Sequence, residues 1–405
     1  MSLVPQGTFI VGKSNDDRAG VSTAPTKSVA ISSFYMDETE ITNNEYRQFI
    51  DWVKDSILRV KLAEYASKLE KTSKDKRGIG LYAYVTKDTS KMSGYEKYMS
   101  KSYPDFWGKK LDKTVPVTWK PDESPDEYYA EILDSMYLPM EESVDGKRLM
   151  AVKNLKYMFN WLDIDAAAKS EVSGRKDFVR KEVVEIYPDT LVWIKDFSYS
   201  YNEPLHNEYL SHVAYSEYPV VGVTWHQARA FCAWRSALKN EYQRSVGKPD
   251  VSDFRLPTET EWEYAARGGL EGGKYPWGGP YIINDRGCYM ANFKPLRGDY
   301  ASDGNLYTAR AKSYESNDYN LFNMSGNVSE WTNSSYYANS YDFVSEINPN
   351  TKQAGHDRRV IRGGSWKDVA YFLEVSTRDF EYSDSARSYI GFRTVQDNLE
   401  VTRNR

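Results

Sequence analysis

The segment Asn320-Leu321-Phe322-Asn323-Met324-Ser325-Gly326-Asn327-Val328-Ser329-Glu330-Trp331 is dense in oxygen donors. A hard cation such as calcium takes roughly six to eight oxygens from carboxylates, amides and backbone carbonyls. In a tight Gly-containing loop, Asn323 and Glu330 would supply side-chain oxygens, and Gly326 and Val328 backbone ones. One formal charge is little for a tight site, so water would complete the shell. The plainer alternative is an Asn/Gly turn held by side-chain-to-backbone hydrogen bonds. The spacing also lacks the dense carboxylates of an EF-hand loop. A second oxygen-rich stretch runs Ala291-Asn292-Phe293, then Asp299 and Asp303-Gly304-Asn305. By itself it reads as a solvated Asp-Gly turn.

Catalytic constellations are thin. Ser73-Lys74-Asp75-Lys76 and Ser173-Gly174-Arg175-Lys176 fit S-x-x-K, but no K-T-G box accompanies them. G-x-S-x-G, P-loop, G-x-G-x-x-G and H-E-x-x-H patterns are absent. Asp37, Glu38 and Glu40 cluster ahead of a helix start, where acids are expected as dipole and cap partners. Cys232 sits among Ala230, Phe231 and Trp234 and reads as a buried, inert thiol. Cys288 lies in a loop. His206 and His212 are six apart, which does not put them on one helical face.

These residues need elements to hold them. The 405-residue chain carries 33 Tyr, 15 Phe and 11 Trp, enough to build a core from amphipathic rings. With 53 basic and 58 acidic residues the net charge is −5, which lacks the basic excess of a general nucleic-acid binder. Two cysteines exclude a disulfide framework and a Cys-rich zinc site. No apolar stretch of about eighteen residues is present to span a membrane. Met1 to Pro5 carry no basic region, apolar core or cleavage site, so a mature or truncated form without an export signal is expected.

Three capping boxes mark helix starts: Thr42-Asn43-Asn44-Glu45, Thr224-Trp225-His226-Gln227 and Thr258-Glu259-Thr260-Glu261. The third helix should stop at Gly268-Gly269. Short strands are expected at Phe9–Gly12, within Lys27–Met36 and over Tyr218–Val223. Residues 54–212 differ in texture, with helical runs expected near 54–70, 126–137 and 147–169. From 54 to 120 there are 16 basic and 8 acidic residues; from 121 to 187 there are 9 and 15. Such asymmetry suits two solvated faces, or a docking surface of both signs.

Taken together, several segments resemble the sulfatase-modifying-factor domain of formylglycine-generating enzymes. They include Gly7-Thr8-Phe9, Asp37-Glu38-Thr39-Glu40-Ile41-Thr42-Asn43, Arg255-Leu256-Pro257-Thr258-Glu259, Glu261-Trp262-Glu263-Tyr264-Ala265-Ala266-Arg267-Gly268-Gly269, Tyr275-Pro276-Trp277-Gly278, Gly326-Asn327-Val328-Ser329-Glu330-Trp331, Arg362-Gly363-Gly364-Ser365-Trp366 and Gly391-Phe392-Arg393. The resemblance covers 3–53 and about 213–396. It implies an α+β, loop-rich fold related to C-type lectins, with 54–212 as a largely helical, partner-binding insertion. It also implies two calcium sites, one on Asn323, Gly326, Val328 and Glu330, the other on Asn292, Phe293, Asp303 and Asn305. The family's two active cysteines map onto Asp368 and Leu373. Neither a carboxylate nor an alkyl chain replaces a soft sulfur ligand, so copper–thiolate oxidation is not expected and the chain reads as non-catalytic.

Finer matches, including Tyr187-Pro188-Asp189-Thr190-Leu191-Val192-Trp193-Ile194, Asp196-Phe197-Ser198-Tyr199 and Ala291-Asn292-Phe293-Lys294-Pro295-Leu296-Arg297-Gly298, are similar to the gliding-motility lipoprotein family GldK, also called PorK, of the type IX secretion system. That similarity implies a lipid-anchored protein on the periplasmic face of the outer membrane, forming a ring with itself and a GldN/PorN partner. The lipobox cysteine is absent, consistent with a chain that begins after it. The rival readings are a calcium-dependent lectin-like binding module and another enzyme of the same fold.

Overall fold

Three short polar signals set the main helices, and each closes the hydrogen-bond pattern its sequence implies. At the first, the Glu45 carboxylate accepts the Thr42 amide at 2.8 Å, and the Glu45 amide donates to Thr42 Oγ1 at 3.3 Å. Helix α1 (Asn43–Lys68) follows. Reciprocal capping boxes also start α6 (Trp225–Ser245) at Thr224 and α7 (Glu259–Arg267) at Thr258. Helix α7 ends at Gly268, whose φ of 58° is the left-handed turn glycine adopts at least cost.

The computed structural model describes residues 1–13, 23–72, 75, 77–85, 92–102, 110–143, 146, 148–170, 174–196, 208–352 and 355–399. Both S-x-x-K matches, His206 and part of the 196–204 motif lie wholly or partly outside them. The remaining described helices are α2 (Gly94–Ser102), α3 (Glu127–Asp134), α4 (Ile164–Lys169), α5 (Val192–Asp196) and α8 (Ser340–Phe343). The strands are β1 (Ser2–Val4), β2 (Gly7–Val11), β3 (Lys27–Ile31), β4 (Phe34–Met36), β5 (Lys156–Leu162), β6 (Val179–Glu185), β7 (Phe254–Arg255), β8 (Ser329–Ser335), β9 (Arg358–Arg362), β10 (Asp379–Tyr382), β11 (Ile390–Gly391) and β12 (Val395–Asp397).

This is a mixed helix and sheet fold with much irregular chain. One antiparallel sheet runs β1-β4-β12-β7, and a mixed sheet runs β10-β9-β8-β11. Strand β8 is one of the two inner members of the second sheet, with Glu330 in register with Arg362 on one side and Gly391 on the other. Its residues are nearly all buried, polar ones included, which requires partners for every polar side chain. Trp262, Phe34, Met36, Leu321, Met324 and Val395 form one core cluster; Trp193, Tyr209, Val221, Val328 and Trp366 form another.

The chain divides into two units, Met1–Phe49 with Met158–Arg405, and Ile50–Tyr157. These boundaries differ from those expected for the insertion, 54–212: the described residues of 158–212 belong to the first unit. The helical run expected over 147–169 is a strand at 156–162 followed by one short helix. Half-buried Tyr157 and buried Phe159 alternate there with exposed Lys156, Met158 and Asn160, and pairing with β6 overrides weak helix propensity. The expected strand over Tyr218–Val223 is extended chain with a single bridge, Pro219 to Thr42. Proline lacks the amide a ladder needs.

Charge placement adds a pH dependence. Burial alone would raise the Glu261 carboxyl, but Arg255, at 2.7 Å to both oxygens, overcomes it and holds the group below its ordinary value. A depressed carboxyl stabilises the fold above its unfolded pKa and loses that contribution as pH falls through its folded one. Glu261→Gln keeps the cap and removes the charge. It should cost about 1–3 kcal/mol at pH 7, and urea midpoints should show this deficit shrinking as pH drops below 4.5.

Candidate functional site

The two oxygen-rich loops pack on one another. Asn320, Asn323 and Asn327 all have positive φ (58°, 53° and 63°), a conformation that Asn tolerates better than most residues. Gly326 comes so near the other loop that a Cβ there would stand 2.4 Å from the Asn292 carbonyl oxygen. The Asn327 amide donates to that carbonyl at 2.8 Å, and Asn292 Nδ2 donates to Asn327 Oδ1 at 3.2 Å. Tight left-handed turns thus bring seven of the eight expected ligand residues into two adjoining loops, with Glu330 just beyond on β8.

Asn323 Nδ2 donates to Glu40 Oε2 and to the Ala311 carbonyl, both at 3.1 Å. Asn292 Nδ2 donates to the Tyr307 carbonyl at 2.8 Å. Each amide is oriented by its nitrogen, so each oxygen position is defined, and both Oδ1 atoms are buried without a hydrogen-bond partner among the described residues. An unpartnered buried acceptor costs about 1–3 kcal/mol unless water or a cation meets it. Asp303 accepts the amides of Phe293 at 2.7 Å and Asn305 at 3.2 Å, and burial raises its carboxyl. The set Asn292, Phe293, Asp303 and Asn305 therefore fits a hard cation: an orphan amide oxygen beside a carboxylate whose charge burial disfavours.

The other set fits in part. The Asn323 oxygen is available, and Gly326 and Val328 lie on the same turn. Glu330, however, is fully buried and held by Arg393, with Nε at 2.9 and 2.8 Å and Nη2 at 2.7 Å, while Trp262 Nε1 donates at 2.7 Å. Its charge is already balanced. Any ion here would rely on amide and backbone oxygens and on a second carboxylate that sequence reading missed, Glu40. Burial, opposed by Arg393, raises Glu40 to about 7. Glu40 was expected as a cap partner of α1. Instead its oxygens accept from Asn323 and Asn327. Asp37 likewise pairs with Arg235 and Thr394 rather than capping. These partners lie about 200 to 360 positions away in the chain, so no local spacing signals them.

The positions carried by cysteine in the resembling enzymes lie after Arg362-Gly363-Gly364-Ser365. Gly364 has a φ of 68°, and a Cβ there would meet the Phe372 carbonyl oxygen at 2.7 Å. That turn directs Asp368 to accept from Ser365 Oγ at 2.5 Å. Leu373 is fully buried against Tyr275, Ala291 and Phe293. Of the two cysteines, Cys232 is buried and its thiol is pushed up to about 12 by desolvation, while Cys288 is exposed. His212 Nδ1 accepts the Ala214 amide, and His226 pairs with Glu182 at 2.7 Å. Among the described residues no group of three or more His, Cys, Asp or Glu is placed to hold a metal, and no helix is long and apolar enough to cross a membrane.

Beside Trp366-Lys367-Asp368 opens a cavity of about 380 Å³. Trp366 forms part of its wall and stacks on Trp193 at 6.0 Å.

Residues 1–132 and 161–398 match the sulfatase-modifying factor enzyme 1-like domain. The chain is 40% identical over 183 residues to an inactive C-alpha-formylglycine-generating enzyme 2 from Bos taurus, covering 44% of this chain and 50% of that protein. It is 34% identical over 194 residues to a formylglycine-generating enzyme from Bos taurus, covering 46% of each. The solved structure of PvdO from Pseudomonas aeruginosa aligns over 98% of this chain and 93% of that one, with a TM-score of 0.47 and 15% identity. The chain spans about half the length of the curated relatives it matches. With a match across most of its length, the chain belongs to the sulfatase-modifying factor enzyme 1-like domain family.

Proposed function

We propose that this chain is a non-catalytic scaffold of the type IX secretion and gliding-motility machinery. In this reading it is a GldK/PorK-type lipoprotein with a loop-rich, C-type-lectin-like core. It sits at the periplasmic face of the outer membrane and assembles with itself and a GldN/PorN-like protein into a ring. The observation that carries the non-catalytic part is the chemistry at Asp368 and Leu373. One is a carboxyl tied to Ser365, the other a fully buried alkyl chain, and neither binds copper as a thiolate does. Stiff loops held by buried hydrogen bonds suit a platform, because preordered surfaces lose less conformational entropy on binding. The mixed-charge segment 54–187 and the Tyr/Trp-rich stretch 187–218 are the surfaces assigned to the partner and to neighbouring copies.

Co-purification with candidate periplasmic partners, followed by particle imaging, tests the assembly. A ring containing both proteins supports it; charge-scrambled variants of 54–187 that capture partner normally contradict the assigned surface. Conversion of a sulfatase-type cysteine peptide to formylglycine by the purified chain would overturn the non-catalytic reading.

Calcium enters this proposal as a structural ion. Saturating calcium at about a hundred times its Kd is expected to add about 2.7 kcal/mol of stability. Melting curves with calcium, with magnesium and with chelator check this. Asn292→Leu should abolish the calcium-specific part, and no shift in the unaltered chain would sink the idea. The same oxygens favour a second reading, a calcium-dependent lectin-like module; a bound ion with open coordination positions would support that, and a closed shell the scaffold.

A further inference from the structure

The cavity next to Trp366 has a composition that neither the oxygen-rich loops nor the former cysteine positions account for. Its inner wall is aromatic. Tyr307 meets Trp366 edge-on at 5.4 Å, and both pack on Trp193, at 5.7 and 6.0 Å. Trp366 is buried, so this wall is already assembled before anything binds. The rim carries Tyr300 and Leu306, which are 43% and 51% exposed. A volume of about 380 Å³ lies at the small end of ordinary ligand pockets, which run from roughly 300 to 1,000 Å³. That space suits one ring system and a short polar tail.

Charge defines the tail. Two ammonium groups line the cavity, each resting on a ring: Lys294 over Tyr300 at 4.2 Å and Lys367 over Tyr389 at 3.1 Å from the ring centroids. Cation–π contact holds such a group in place without neutralising it, although Lys367 also lies in the field of Asp368, Asp196 and Asp379. Among the described residues neither lysine stands in an ion pair. Among the described residues of the wall one is a carboxylate, Asp196, and it accepts from Ser388, whose amide donates at 3.1 Å and whose hydroxyl also donates. The residues lining the cavity therefore carry two cations, Lys294 and Lys367, against one anion, Asp196, above an aromatic wall. A neutral sugar would use the rings and leave both cations without an anion. A cationic side chain, such as arginine, would be repelled.

We infer that this cavity binds an aromatic carboxylate, its ring against Trp366 and Tyr307 and its carboxylate between Lys294 and Lys367. Two sources share this chemistry: the chain end of a polypeptide finishing in an aromatic residue, and a free aromatic acid. The inference does not depend on the secretion-machinery reading, because partner capture and cavity occupancy are measured separately.

The test is titration calorimetry on the full chain with three probes: Gly-Gly-Phe, its C-terminal amide, and 3-phenylpropionate. Gly-Gly-Phe should bind, and the amide should bind about tenfold or more weakly, since a charge-assisted contact is lost. Comparable binding of 3-phenylpropionate would assign the site to free aromatic acids; clearly tighter binding of the peptide would assign it to chain ends. Either supports the site. Lys294→Met with Lys367→Met should weaken the carboxylate probes about tenfold or more and leave the amide unchanged. Leu306→Glu, which places an anion at the exposed rim, gives a second check that leaves the lysines intact and should weaken the same probes. Melting temperatures confirm that each variant is folded. Absence of binding by both carboxylate probes, equal binding of the amide, or indifference to the lysine substitutions would overturn the inference.

Discussion

Glu263→Ala is expected to remove about 3–5 kcal/mol of stability, the usual result of breaking a buried ion pair from one side. Glu263 has no exposed surface. Its Oε1 accepts from Arg267 at 2.7 Å and from the Gly12 amide at 2.9 Å, and its Oε2 is held by Arg362. One turn earlier on α7, Glu259 is held by Arg378, with Nη2 at 3.0 Å from its Oε2. Two carboxylates from one helix thus face three buried guanidiniums. Removing one carboxylate leaves buried Arg267 without its counter-charge at 263 and buried Arg362 with only Glu259, at 3.6 Å, among the described residues. Urea unfolding at pH 7 measures the effect as a lower midpoint at unchanged slope. A loss below about 1 kcal/mol would mean that the pair is solvent-screened like an ordinary surface bridge.

The second large effect is expected at Arg393. This guanidinium donates to Glu330 from two nitrogens and to the carbonyl oxygens of Asp37 at 3.1 Å and Phe322 at 2.8 Å. Arg393→Met should cost about 3–5 kcal/mol in chelator-treated protein at pH 7.5, because Glu330 then lies buried without its cation beside Glu40. The deficit has a definite pH sign. Glu40 already sits at about 7, through burial opposed by Arg393, and losing that arginine can only raise it. A carboxyl raised above its unfolded value destabilises the fold at high pH and ceases to do so once protonated. The gap between variant and parent should therefore be smaller at pH 5 than at pH 7.5. A gap that grows on acidification would show that Arg393 acts through its carbonyl contacts and not through charge.

Much of the scaffold was legible because it is written locally. A capping box needs only residues three apart, so Thr42, Thr224 and Thr258 announce their helices without help from the rest of the chain. The Gly268 stop and the inert, buried Cys232 follow from equally short windows. The failures share a cause. Lys156–Leu162 is a strand because it pairs with β6, and Tyr218–Val223 is not one because the chain around Pro219 forms only a single bridge. Asp37 and Glu40 looked like first-turn acids and proved to be partners of Arg235, Thr394, Asn323 and Asn327. In every such case the deciding neighbour is distant in sequence.

From residue types alone it was settled that no thiol stands at 368 or 373, and that Asn, Gly and Asp crowd the two loops at 292–305 and 323–330. Those facts are chemical identities, and folding cannot alter them. Only the tertiary structure decided that Glu330 is already neutralised by Arg393, that the oxygens of Asn292 and Asn323 are left without partners, and that Lys294 and Lys367 meet around one aromatic cavity. Charge balance, desolvation and the shape of a cavity depend on distances in space, and residues 35 to 360 positions apart acquire those distances only when the chain is packed.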